Sequence, residues 1–139
     1  MKVIILAAGQ GTRLRPLTDH CPKCMVEVNG KSIIERQLDT MHSCGIEDKD
    51  ITIVAGYRND VLKEKFKDTE VKFIVNEEYE TTNMVCSLMC ARNLMETEDD
   101  ILISYGDIIY KKEVLEKILK TEEDIAEYME SSTVPEGEA

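Results

Sequence analysis

Apolar and polar residues follow one another along this chain in blocks of two kinds. Val3 to Leu6 is a continuous aliphatic run ending on a glycine-bearing loop, the pattern of a strand buried on both faces. Ser32 and Glu35 stand three apart before an apolar stripe, which is a capping box. Ile34, Leu38 and Met41 line one face of the helix it opens, and Cys44-Gly45 ends that helix. Ile51 to Ala55 predicts a second strand, closed by Gly56-Tyr57. Asn59 or Asp60 caps a short helix carrying Val61, Leu62 and Phe66. Val71 to Val75 is a third strand, and Met84, Leu88, Ala91 and Met95 recur as the core stripe of a second long helix. Ile101 to Ser104 is a fourth strand, running into Tyr105-Gly106-Asp107. Val114, Leu115, Ile118 and Leu119 stripe a last helix.

Strand and helix alternating in this way predict parallel pairing with right-handed crossovers. The expected fold is a Rossmann-like three-layer α/β sandwich with a mostly parallel sheet and helices on both faces. No repeat and no Pro/Gly/Ser linker divides it. Ligands of such sheets bind beyond the carboxyl ends of the strands. That rule selects the loop after Leu6, the Gly56-Tyr57 turn and the Asp107 end.

Charge narrows the partners. The 139 residues carry a net charge of −11, which argues against non-specific nucleic-acid binding and against a polybasic membrane surface. Residues 121–139 hold seven Asp and Glu and no Lys or Arg, so −7 belongs there and −4 to residues 1–120. A domain over residues 1–126 followed by an acidic tail over 127–139 is the expected organisation. The tail has the composition of a frayed terminus, and Asp124-Ile125-Ala126 resembles the opening of a further strand. No apolar run approaches the roughly eighteen residues of a membrane span. The apolar start ends at Ala8, with Arg13 and Arg15 close behind, so a buried strand is expected rather than an export signal, and a cytoplasmic protein. Five cysteines then read as reduced thiols.

The candidate chemistry sits first in Leu6-Ala7-Ala8-Gly9-Gln10-Gly11-Thr12-Arg13. Small residues let backbone approach a ligand, and successive N–H groups in a turn can cradle an anion. The dinucleotide fingerprint is broken because Leu14 stands where its third glycine belongs, and Gly30-Lys31 lacks the glycine a Walker loop needs at position 25. Arg13, Arg15, Lys23, Lys31 and Arg36 outnumber the acids Asp19, Glu27 and Glu35 over the same stretch, which suggests a bound polyphosphate. Taken singly, Arg13 and Lys23 read as solvated loop charges and Gly106-Asp107 as a turn. Cys21-Pro22-Lys23-Cys24 has the spacing of a redox or zinc pair, with Cys86 and Cys90 as further donors. Ordinary thiols are the simpler reading.

Together, Leu6-Ala-Ala-Gly-Gln-Gly-Thr-Arg-Leu-Arg-Pro-Leu-Thr18, Pro22-Lys23 and Gly30-Lys-Ser-Ile-Ile34 resemble the amino-terminal signature of the nucleotidyltransferases that activate sugar phosphates and phosphocholine. Asn76 and Tyr79-Glu-Thr-Thr-Asn-Met-Val-Cys-Ser-Leu88 are similar to a segment of the cytidylyltransferase branch. The resemblance implies attack by an acceptor phosphate oxygen on the α-phosphorus of a nucleoside triphosphate, CTP being favoured, with pyrophosphate released. It implies nucleotide contacts from Leu6, Ala7, Ala8, Gly9, Gly11 and Thr12, catalytic cations at Arg13 and Lys23, and a Mg²⁺ ligand at Asp107. Thr82 and Asn83 lie near the base in this family, although either could equally cap the helix that follows. The acceptor would be phosphocholine or a sugar 1-phosphate. The family's catalytic domains usually run longer, so a truncated nucleotide-binding module without efficient turnover is the alternative expectation.

Overall fold

The computed structural model describes residues 1–81, 83–97 and 99–120. The amino-terminal aliphatic run forms β1 (Lys2–Ala7), in which Val3, Ile4 and Ile5 are almost wholly buried. A two-residue hairpin follows, β2 (Glu27–Val28) and β3 (Lys31–Ser32). The sequence reading did not anticipate it. Its turn is Asn29-Gly30, with φ of 53° and 81°, the left-handed pair that a tight hairpin needs. Helix α1 (Ile33–Ser43) opens on the expected capping box: Ser32 Oγ accepts from Glu35 N at 3.3 Å, and the Glu35 carboxylate accepts from Ser32 N at 3.4 Å. It ends before Gly45, at φ 88°.

Then come β4 (Ile51–Ala55), α2 (Asn59–Lys65) and β5 (Lys72–Val75). The capping residue of α2 is Arg58 in left-handed conformation, not Asn59 or Asp60. Asn59 instead donates its side-chain amide to Gly56 O at 2.9 Å, which ties the helix start to the end of β4.

The stripe from Met84 to Met95 forms two short helices, α3 (Met84–Cys90) and α4 (Arg92–Met95), rather than one long one. At the junction Ala91 N donates to Leu88 O and Leu94 N to Ala91 O, the i→i+3 pattern of a tighter turn. Ala91 is buried, while Met84, the first residue of α3, is exposed. β6 (Ile101–Tyr105) and α5 (Lys112–Leu119) complete the described chain. The further strand expected from Asp124 and the tail lie outside the described residues.

Among the described residues β5-β4-β1-β6 form one sheet, every pair parallel, with Ile5 level with Ile53 on one side and Ser104 on the other. Val3 and Ile5 pack with Ile34, Leu38 and Met41 of α1, Leu62 of α2 and Leu115 of α5. Ile4 and Leu6 face the other way, onto Val54, Ala91 and the partly buried Leu88 and Leu94. The sheet is therefore a middle layer with helices on both faces, a Rossmann-like α/β sandwich.

Candidate nucleotide site

Three strand ends meet at the carboxyl edge of the sheet, and close backbone approach holds them there. Gly106 N donates to Leu6 O at 2.8 Å, and Tyr57 N to Ala8 O at 3.2 Å. A methyl group on Gly106 would lie 2.9 Å from Ala7 Cβ; one on Gly56 would lie 2.8 Å from Tyr79 Cβ. Both contacts are closer than carbon atoms tolerate, so glycine at these positions brings the β1 end level with its neighbours.

The loop leaving β1 is pinned from below. Gly11 takes φ 62° and its carbonyl accepts from the buried Thr18 hydroxyl at 2.7 Å. Tyr57 reaches over from the β4 end and donates to Thr18 O at 2.6 Å, its ring edge-on to Tyr79. Among the described residues nothing accepts from the backbone N–H of Gly9, Gln10, Gly11 or Thr12. The loop thus holds a series of available donors on a fixed frame, which suits an anion.

A cleft opens beside this loop. Leu6 and Ala7 line it from the end of β1, Ala8 and Gly9 from the loop that follows, Lys23 and Cys24 from the 3₁₀ turn Lys23–Met25, and Gly106-Asp107 from the β6 end. Lys23 Nζ lies 2.9 Å from Asp107 Oδ2, with each side chain about 40% exposed. Tyr79, Met84 and Ser87 also line the cleft, as does Asn83, which accepts from Cys86 N at 3.2 Å and so caps α3 as well. Tyr79, Ser87 and Tyr105 were not selected as site residues from the sequence. Thr82 lies outside the described residues.

Not every expected residue enters the cleft. Gly11 and Thr12 belong to the pinned loop, and Gly11 abuts Lys23, since a Cβ there would meet Lys23 Cβ at 2.9 Å. Arg13 is exposed on the 3₁₀ turn Thr12–Leu14 and makes no ion pair among the described residues. The cluster of five cations does not act as one. Lys31 bonds Asp39, and the Arg36 guanidinium donates to the hairpin carbonyls of Val28 and Asn29, both being held in structural contacts away from the cleft lining.

The cysteine pair is chemically quiet. Burial, with the neighbouring Cys21 second, pushes the Cys24 thiol up to about 12, and burial raises Cys21 too. A raised thiol is a poor nucleophile and a poor metal ligand. All five cysteines are free, and no group of three or more His, Cys, Asp or Glu among the described residues could hold a metal. Neither redox nor zinc chemistry finds support.

A parallel sheet with a donor-rich loop and a Lys-Asp pair at its carboxyl edge defines an α/β protein with a candidate anion site. The chain belongs to the nucleotidyl transferase family, whose model matches residues 2–138. It is 41% identical over 137 residues to a CTP:phosphoglutamine cytidylyltransferase of Campylobacter jejuni, covering 95% of this chain and 53% of that protein. It is 40% identical over 114 residues to a choline-phosphate cytidylyltransferase of Streptococcus pneumoniae, covering 80% and 47%. The structure of a CTP:phosphocholine cytidylyltransferase from Streptococcus pneumoniae superposes with a TM-score of 0.69 at 32% identity, covering 81% of this chain and 49% of that one. The chain spans about half the length of the curated relatives it matches. Both of those relatives are named as cytidylyltransferases. No helix of the described residues is long and apolar enough to cross a membrane.

Proposed function

We propose that this protein transfers CMP from CTP to a small phosphorylated acceptor with release of pyrophosphate. The observation that carries the reading is the Lys23–Asp107 pair, 2.9 Å apart, at the mouth of the cleft formed beside the free amides of the β1 loop. CTP is favoured because two relatives are named for cytidylyl transfer, and their names also suggest phosphocholine or phosphoglutamine as acceptor.

The reaction brings two anions together, so the protein's work is positioning and charge neutralisation. The acceptor phosphate oxygen attacks the α-phosphorus, the bond to the bridging oxygen breaks, and pyrophosphate leaves with the electron pair. The amides of Gly9 to Thr12 face the triphosphate. Lys23 gives up its contact with Asp107 and presents its ammonium to phosphate oxygens, and Arg13, free on its turn, adds a planar fork. Asn83, with donors and acceptors together, lies where the base is read.

Mg²⁺ fits this donor set. Asp107 offers one half-exposed carboxylate, and this cation is commonly held by one or two carboxylates plus substrate phosphates. It would neutralise phosphate charge where it binds.

The test is pyrophosphate release with CTP, Mg²⁺ and either phosphocholine or phosphoglutamine. Turnover that disappears in Lys23→Ala is expected. Wild-type protein that neither binds CTP nor releases pyrophosphate with either acceptor would overturn the proposal.

A further inference from the structure

The side chain of Gln37 lies in the apolar stripe of α1, only 1% exposed, and all its polar atoms are used. Its amide nitrogen donates to Ile108 O at 2.8 Å and also to Tyr105 O. Its amide oxygen accepts from Ser104 Oγ at 3.0 Å, and the two carbonyls, which can only accept, fix which way the amide points. Ser104 is itself buried and lies 3.4 Å from the Tyr110 hydroxyl. The two carbonyls that Gln37 holds bracket Gly106-Asp107. On the other side of that turn, Gly106 N is bonded to Leu6 O at 2.8 Å. The turn carrying Asp107 is thus clamped between β1 and one buried amide.

We propose that Gln37 is a positioning residue for Asp107, setting the place of that carboxylate so that it can engage a divalent cation brought in on a nucleoside triphosphate. The proposal rests on the metal-binding role suggested for Asp107 above. A carboxylate on a β6-end turn is aimed largely by the backbone, since its own side chain is half-exposed and its one ion pair among the described residues is with the half-exposed Lys23. Two hydrogen bonds from a single rigid amide to the flanking carbonyls restrict that backbone. A buried amide is a costly choice for the middle of an apolar stripe unless every polar atom is satisfied, and here each is.

A purely structural role predicts a change in melting temperature and nothing more. A positioning role predicts a split between metal binding and nucleotide binding. The experiment titrates Mn²⁺ into the protein with CTP by electron paramagnetic resonance, and separately titrates CTP in EDTA by calorimetry. Gln37→Met keeps the length of the side chain and removes its bonds to the turn. It is expected to weaken Mn²⁺ binding about 10–100-fold, as loss of a group supporting a metal ligand typically does. CTP affinity in EDTA should stay within about twofold of wild type. Asp107→Asn is the control: it should lose Mn²⁺ binding as well. If Asp107→Asn loses it while Gln37→Met retains it, Gln37 does not position the carboxylate. If Asp107→Asn retains it, the metal role of Asp107 falls first. Should Gln37→Met fail to fold, Gln37→Asn keeps a buried amide but shortens its reach to the Tyr105 and Ile108 carbonyls, and a several-fold loss of Mn²⁺ binding is then expected. Unchanged Mn²⁺ binding in Gln37→Asn would overturn the proposal.

Discussion

At the residue scale, two glycines on this chain separate support from recognition. A Cβ on Gly106 would crowd Ala7 Cβ at 2.9 Å and Leu6 O at 3.1 Å, and neither atom can yield without moving β1. Gly106→Ala is therefore expected to cost about 1–3 kcal/mol, the range for overpacking a filled site. Denaturant unfolding measures it. Gly9 is the opposite case, because a Cβ there meets nothing within 4 Å. Gly9→Ala should leave stability within about 0.5 kcal/mol yet weaken CTP binding, since only a close-lying ligand would object to the methyl. Equal CTP affinity would show that the ligand does not approach this loop. Cys24 supplies a pH test. Its folded pKa is raised from the ordinary 9.0 to about 12, so the folded state keeps a proton that the unfolded state releases. Stability from this group is complete below pH 9 and is lost as pH rises from there towards 12. Comparing unfolding at pH 8 and pH 10, wild type should lose more than Cys24→Ala; equal losses would mean the thiol is not held protonated. Gln37 shows what was hard to read at this scale. A glutamine on a helix ordinarily faces solvent, and the only hint was its position three after Ile34, inside the stripe of Leu38 and Met41.

Element-scale order follows from local chemistry where that chemistry is complete. The box Ser32-Glu35 places α1 without tertiary information, and the structure has both of its bonds. Lys65 of α2 adds a contact to Glu35 at 3.0 Å. The hydrogen bond from Ser32, and then that from Lys65, hold the Glu35 carboxyl below its usual range. A lowered carboxyl stabilises the fold above its ordinary 4.5 and ceases to do so as pH falls below that value. Ser32→Ala should cost about 1 kcal/mol, typical of losing a cap, and should flatten the acid limb of stability below pH 4.5. An unchanged acid limb would remove the box from the account. The turn of the β2–β3 hairpin has a signal in Asn29-Gly30, but strands of two residues carry no alternation to detect. The split of α3 from α4 was not legible, since apolar spacing at 84, 88, 91 and 95 suits an unbroken helix equally well. The i→i+3 bonds at Ala91 distinguish the two.

Across the whole molecule, a strongly negative net charge surrounds a cleft whose lining is balanced, Lys23 standing against Asp107. The net charge is −11, with −7 of it in residues 121–139, and in the proposed reaction a triphosphate would have to reach Arg13, Lys23 and the amides of the β1 loop. The sequence suggested a basic neighbourhood, but linear proximity overstated it. Of the five cations between Arg13 and Arg36, Lys31 and Arg36 are occupied in the hairpin and helix, and Lys23 is paired with Asp107. Long-range repulsion therefore meets short-range attraction, and the two respond to salt differently. Screening acts beyond about 8 Å at physiological ionic strength, so it removes the repulsion of distant acids and largely spares the contacts in the cleft. The association rate of CTP is then expected to rise as salt increases from about 0.01 to 0.15 M, a range in which the Debye length shortens from roughly 30 to 8 Å. The rise should be steeper in EDTA than with Mg²⁺, because the metal-free nucleotide carries more negative charge into the same field. Stopped-flow binding at a series of salt concentrations measures both slopes. An association rate that falls with salt would mean that the cations around the β1 loop, not the acidic surface, dominate the approach of the nucleotide.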